Sequence, residues 1–97
     1  MPESLFVPCQ IERGAFSSER VFEITLADGS TAGLANVRYL RNESQQPLDA
    51  DSPAPGEKIR GFVQCHVIQR AADGTATIEV PSTDMLHVPA DELVSIG

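Results

Sequence analysis

The chain has 97 residues, 41% hydrophobic and 22% charged. That describes one domain with a thin core, and it excludes both a two-lobed enzyme with an interdomain cleft and a globally disordered chain. Fourteen acids against seven bases give a formal charge of −7, a field that disfavours whole-surface binding to duplex nucleic acid or an anionic membrane.

Period-two alternation broken by turn dipeptides dominates the pattern; no internal repeat and no heptad is read from it. Leu5, Val7, Cys9 and Ile11 alternate with Phe6, Pro8, Gln10 and Glu12, which predicts a first strand. Pro8 has no N–H for a ladder, so this strand is placed at an edge, where a partner strand can add. A loop follows over Arg13 to Glu19. Phe22, Ile24 and Leu26 then share one strand face, and Asp28-Gly29 marks a hairpin whose returning strand is Ser30 to Val37. Val37 to Arg41 reads equally as more strand or a short helical turn. Asn42 to Gly56 holds Pro47, Pro53, Pro55, Asp49 and Asp51, so the single domain, 1–97, is expected to carry a mobile polar loop at 42–56.

Lys58 to Arg70 is the longest predicted strand. Ile59, Gly61, Val63, Cys65 and Val67 fall on one face, and a bend or bulge is expected at Gly61. Asp73-Gly74 turns the chain into Thr75 to Val80, and Pro81-Ser82-Thr83-Asp84 turns it again into Met85 to Val88. Pro89 to Leu93 suits a single 3₁₀ turn, and Val94 to Ile96 a last short strand. The expected fold is all-β: a small barrel of five to six short strands with one 3₁₀ turn near the C-terminus.

The run Val88-Pro89-Ala90-Asp91-Glu92-Leu93-Val94-Ser95-Ile96, preceded by the hairpins at Asp73-Gly74 and Pro81 to Asp84, resembles the ending of the SH3-like barrel over residues 57–96. That family has a long bent strand, two hairpins, a 3₁₀ turn and a short final strand. Gly56-Glu57-Lys58-Ile59-Arg60-Gly61 is similar to the opening of OB-type RNA-binding barrels, the alternative fold. The proline-peptide groove of SH3 domains needs Tyr and Trp. This chain has no Trp and only Tyr39, so that activity does not follow from the resemblance.

The candidate binding surface is the polar face of the long strand: Lys58, Arg60, Phe62, Gln64, His66 and Arg70. Cations interleaved with a ring suit single-stranded RNA, and residues 38–70 carry a net +1 while the remainder carries −8. The plainer account, the solvated face of an amphipathic strand, is preferred. Cys65 and His66 are neighbours on a strand and point to opposite faces, so they do not share a metal. Cys9 and Cys65 fall on apolar faces as small buried hydrophobes, and His87 points outward. Asp49-Ala50-Asp51-Ser52 lacks the rest of a calcium loop.

No catalytic residue, metal site or cofactor is therefore expected. The expected function is a non-catalytic module that binds another protein, with RNA binding through Lys58 to Arg70 as the alternative and a subunit of an enzyme complex as the third reading. No apolar run approaches ~20 residues, and no basic segment precedes an apolar one at Met1-Pro2-Glu3-Ser4. No membrane association, reduced thiols and a cytoplasmic location are expected. Deletion of Asn42 to Gly56 is expected to abolish association and spare the fold.

Overall fold

Apolar side chains at every second position and turn residues between the runs produce a chain of strands. The structure, a computed structural model, describes residues 3–26, 29–82 and 84–96. In chain order the strands are β1 (Glu3–Arg13), β2 (Glu19–Leu26), β3 (Gly29–Asn36), β4 (Leu40–Asn42), β5 (Ile59–Arg70), β6 (Thr75–Glu79) and β7 (Met85–Pro89). 3₁₀ turns occupy Val37–Tyr39 and Ala90–Glu92. The strands form one curled sheet ordered β3-β2-β1-β5-β6-β7, with β4 also on β5. Every pairing is antiparallel, giving a small all-β, barrel-like fold. Among the described residues there are seven strands rather than five or six, because Val37 to Arg41 divides between a 3₁₀ turn, which the Asn36 side chain caps at the Arg38 N–H, and β4.

The spine is the pair β1–β5, in register from Glu3 opposite Val67 to Ile11 opposite Ile59. Each spine strand has two partners on its other edge. β1 meets Val94 at Phe6, through two backbone hydrogen bonds of 2.8 Å, and β2 from Gln10 to Arg13. β5 meets β4 at residues 61–63 and β6 at residues 66–70. The edge placement of Leu5 to Ile11 is thus overturned: β1 is central, and most of it offers no edge to an added strand. Pro8 is tolerated because residues two apart direct their N–H groups to the same edge. Its nitrogen faces the gap between Val94 and β2, where no ladder bond is lost. The final strand shrinks to the bridge at Val94.

The two halves repeat one pattern, which corrects the reading of no internal repeat. In each, a long strand, a hairpin, a 3₁₀ turn and a short segment follow in order, and the short segment closes on the other half's long strand. Counterparts lie 56 positions apart through the first two strands: Gln10 opposite Glu23 becomes His66 opposite Glu79. After the second hairpin, which is three residues shorter, they lie 53 apart. Arg41 opposite Phe62 then corresponds to Val94 opposite Phe6. The pseudo-twofold axis passes through the directly paired Val7 and Val63, both fully buried. Core positions obey the same relation: Cys9 and Cys65, Phe22 and Ile78, Ile24 and Val80, Ala35 and Val88 are all buried in one cluster.

Gly61 is not a bulge. It is where β4 crosses β5 so closely that a Cβ would meet the Arg41 carbonyl and the Ile11 side chain. The irregularity falls instead between Val67 and Gln69. Of the turns, residues 71–74 close through Ala71 and Thr75 with Gly74 at positive φ. Asp28 and Thr83, which belong to the other two expected turns, lie outside the described residues.

Arg20 is fully buried, and it donates to the carbonyls of Ser17, Glu19, Ala50 and Ser52 at 2.8–3.0 Å. Arg13 donates to the Pro53 carbonyl, and Pro53 is buried. The segment 42–56 is therefore pinned at residues 50–53. Its deletion would strip a buried guanidinium of two acceptors, so it would not spare the fold. Burial and the nearby Arg13 push the Arg20 pKa down.

Candidate binding face and its two clefts

Even-numbered residues of β1 and β5 point away from the core because odd-numbered ones fill it. The outer face of the spine thus carries Phe6, Pro8 and Gln10 beside Arg60, Phe62, Gln64 and His66. The six residues singled out, Lys58 just before β5 and the other five on it, do not form one patch. From Lys58 to Arg70 a strand runs roughly 40 Å, and neighbouring elements divide that length. Lys58 lies at one end beside Glu12 and Glu23, around a shallow hollow of about 50 Å³. Arg70 lies at the other end, opposite Ala76.

Between these ends, beside a wide-open depression around Asn42, Glu43, Ser44, Ile59 and Arg60, are two clefts. The first, about 450 Å³, is lined by Pro8, Gln10, Glu23, Thr25, Glu43, Arg60, Phe62 and Glu92, with the backbone of Cys9 and Gly61. The second, about 230 Å³, is lined by Tyr39, Gln64, His66, Glu79, Val80 and Pro81. They are related by the pseudo-twofold. Pro8 corresponds to Gln64, Gln10 to His66, Glu23 to Glu79, Thr25 to Pro81, and Glu92 to Tyr39. Each cleft therefore has the spine as floor, the second strand of one half as wall, and the 3₁₀ turn of the other half at its rim. Arg60 and Phe62 open onto the first cleft, Gln64 and His66 onto the second.

The electrostatics of the face are unlike a phosphate platform. Glu23 accepts a 3.3 Å hydrogen bond from the Ser30 hydroxyl. Among the described residues, the carboxylates of Glu43, Glu79 and Glu92 have no intrachain hydrogen-bond or ion-pair partner. Four of the seven cations are engaged by carbonyls and rings of the chain itself. Arg13 and Arg20 bind carbonyls of the 50–53 segment. Arg38 donates to the Tyr39 hydroxyl and rests 5.0 Å from that ring's centre. Arg41 donates to the carbonyls of Arg38 and Leu40 and lies 5.0 Å from the Phe6 ring centre, sealing a ring that is only 5% exposed.

Cys9 and Cys65 are buried, and burial pushes their pKa values up to about 12 and about 11. A thiol so placed is protonated at neutral pH. His66 is exposed on the opposite side of β5 from Cys65. His87 shares a hydrogen bond of 3.0 Å with the Thr77 hydroxyl. Among the described residues no three His, Cys, Asp or Glu side chains converge as metal ligands, and no helix is long and apolar enough to cross a membrane.

Sequence reasoning found the β5 contribution to both clefts. It missed Pro8, Gln10 and Glu23, and it missed Tyr39, Glu79 and Glu92. The available signal was Phe6-Val7-Pro8-Cys9 against Phe62-Val63-Gln64-Cys65, which aligns the two halves and predicts that whatever flanks one spine strand has a counterpart on the other. Comparison with known protein families, with curated proteins and with solved structures returns no match.

Proposed function

We propose that the protein is a non-catalytic binding or assembly module that recognises another protein through the outer face of the β1–β5 spine. The observation that carries this reading is the pair of open clefts on that face, each lined by a mixture of ring or proline surface and hydrogen-bonding side chains. Such mixtures suit peptide and protein partners. The carboxylates beside Arg60 and His66 speak against RNA, because a phosphate backbone would meet Glu23, Glu43, Glu79 and Glu92. In this reading the fold is an SH3-like barrel. The order β5, β6, β7, 3₁₀ turn and closing segment at Val94 supports it, and β2 to β4 are then a long insertion between the first two strands of the barrel.

The test is site-specific photo-crosslinking in cells, with the crosslinker at position 62 in one variant and at exposed position 72 in another. A protein adduct of defined mass at 62 and none at 72 supports the reading. A nucleic acid adduct at 62, or equal labelling at both positions, overturns it.

A further inference from the structure

We infer that the two clefts are divergent copies of one docking site, and that each takes a cationic side chain, arginine or lysine, from an extended segment of the partner. The inference rests on the protein-binding reading above and specifies its chemistry. The pseudo-twofold makes the clefts equivalent in construction: a hydrogen-bonding side chain on the spine stands directly opposite a glutamate on the next strand, Gln10 opposite Glu23 in one and His66 opposite Glu79 in the other. The other retained pairs, such as Val7 with Val63 and Cys9 with Cys65, are buried in the core, where packing accounts for them. Glu23 and Glu79 are only half-buried and face outward, where packing requires no particular side chain.

Charge complementarity selects the occupant. Arg13, Arg20, Arg38 and Arg41 serve carbonyls and rings, and among the described residues the cleft carboxylates of Glu43, Glu79 and Glu92 have no hydrogen-bond or ion-pair partner. A guanidinium or ammonium can satisfy a glutamate and the neighbouring Gln10 or His66 acceptor together. The copies have diverged in strength. The first cleft adds Glu43 and Glu92 and loses part of that field to Arg60. The second has Tyr39, whose ring already holds Arg38, so it binds the more weakly of the two.

The experiment uses the full chain, ¹⁵N-labelled, at about 150 mM salt, where long-range attraction to the acidic surface is screened beyond about 8 Å. The probe is a capped pentapeptide with one central arginine, and its neutral control carries citrulline instead. Two groups of amides are expected to shift, one around positions 10, 23 and 62 and one around 64, 66 and 79, and citrulline is expected to move neither. Glu23→Gln should weaken binding at the first cleft about tenfold and leave the second unchanged, and Glu79→Gln should do the reverse. Asp49→Asn should change neither. Both glutamine variants keep size and shape, and their dispersed spectra report that they fold. Shifts at one cleft only, at neither, or equally with citrulline overturn the inference. If the clefts stay silent while position 62 still crosslinks to a protein, the binding-module reading stands and the cationic two-site inference alone falls.

Discussion

The first half of the chain closes its end of the barrel with a strand, and the second half closes its end with a single bridge. β4 runs three residues along β5, from Leu40 opposite Val63 to Asn42 opposite Gly61. Its counterpart touches β1 only where Val94 faces Phe6. The same plan therefore meets different local demands. At Gly61 the crossing strand leaves no room for a side chain. At the equivalent Leu5 the partner has already left the ladder, and a leucine fits at 9% exposure. Likewise Arg20 and its counterpart Ala76 are both buried. In the first half the position carries a guanidinium that holds down the 50–53 segment, and in the second it carries an alanine. The halves diverge at these positions, while the spine keeps Phe6, Val7 and Cys9 as Phe62, Val63 and Cys65.

Perturbations of matched positions sharpen or break this comparison. Arg20→Met removes the donors from four carbonyls and should lower the unfolding free energy by about 3–5 kcal/mol. Urea denaturation measures the loss, and accelerated amide exchange confined to residues 50–52 and their neighbours identifies its origin. Ala76→Gly, the matching change in the other half, should cost only about 1 kcal/mol. Comparable losses would mean that Arg20 has no special anchoring role.

Gly61→Ala forces β4 away from β5 and should cost about 3 kcal/mol by overpacking. A neutral result would show that β4 is not held as tightly as its register suggests. On the axis, Val7→Ala and Val63→Ala should each cost about 2 kcal/mol, and equality between the two is the point of the measurement. A difference of more than about 1 kcal/mol, well outside such measurements' usual scatter, would break the twofold description of the spine.

Titration supplies further effects, all of them away from neutral pH. The Cys9 and Cys65 thiols are raised to about 12 and about 11, so unfolded chains release protons above pH ~8.5 while the folded chain does not. Stability should be at its full value below that pH and decline toward pH 11, with both thiols unreactive to alkylation until the chain opens. Substitution of both by Ala or Ser should flatten that decline. Asp73 behaves in the opposite sense. Hydrogen bonds from the Thr75 hydroxyl and N–H hold its carboxyl below the ordinary range. Its contribution is present above pH ~4 and is lost as the pH falls through the lower folded value. Asp73→Asn should abolish that small acid dependence, detectable as a local change in the 71–74 turn.

Much of the fold is legible in the residues, because alternation is a local property of a pleated chain. Cys65 buried with His66 exposed, the hairpin at Asp73-Gly74 and the 3₁₀ turn at Ala90–Glu92 all follow from side-chain order and turn chemistry. The candidate site was only half legible. Arg60, Phe62, Gln64 and His66 were found because they share a strand with an apolar face. Glu23, Glu79, Tyr39 and Glu92 come from other elements, and nothing local announces that the spine will bring them alongside. The repeat was obscured because few positions match by identity and the second hairpin is shorter by three residues, so no single offset aligns the halves.

The sequence by itself determined most of the alternation of buried and exposed side chains, the turn at Asp73-Gly74, and the β character of the described residues, since these depend on neighbours two to four positions apart. Tertiary structure alone decided that β1 is central, that Pro8 sits in a gap between two partners, that Arg20 is buried against residues 50–53, and that two clefts face outward as a pair. Those outcomes depend on pairings between segments tens of residues apart, where strand order and edge occupancy are set by closing the whole sheet at once.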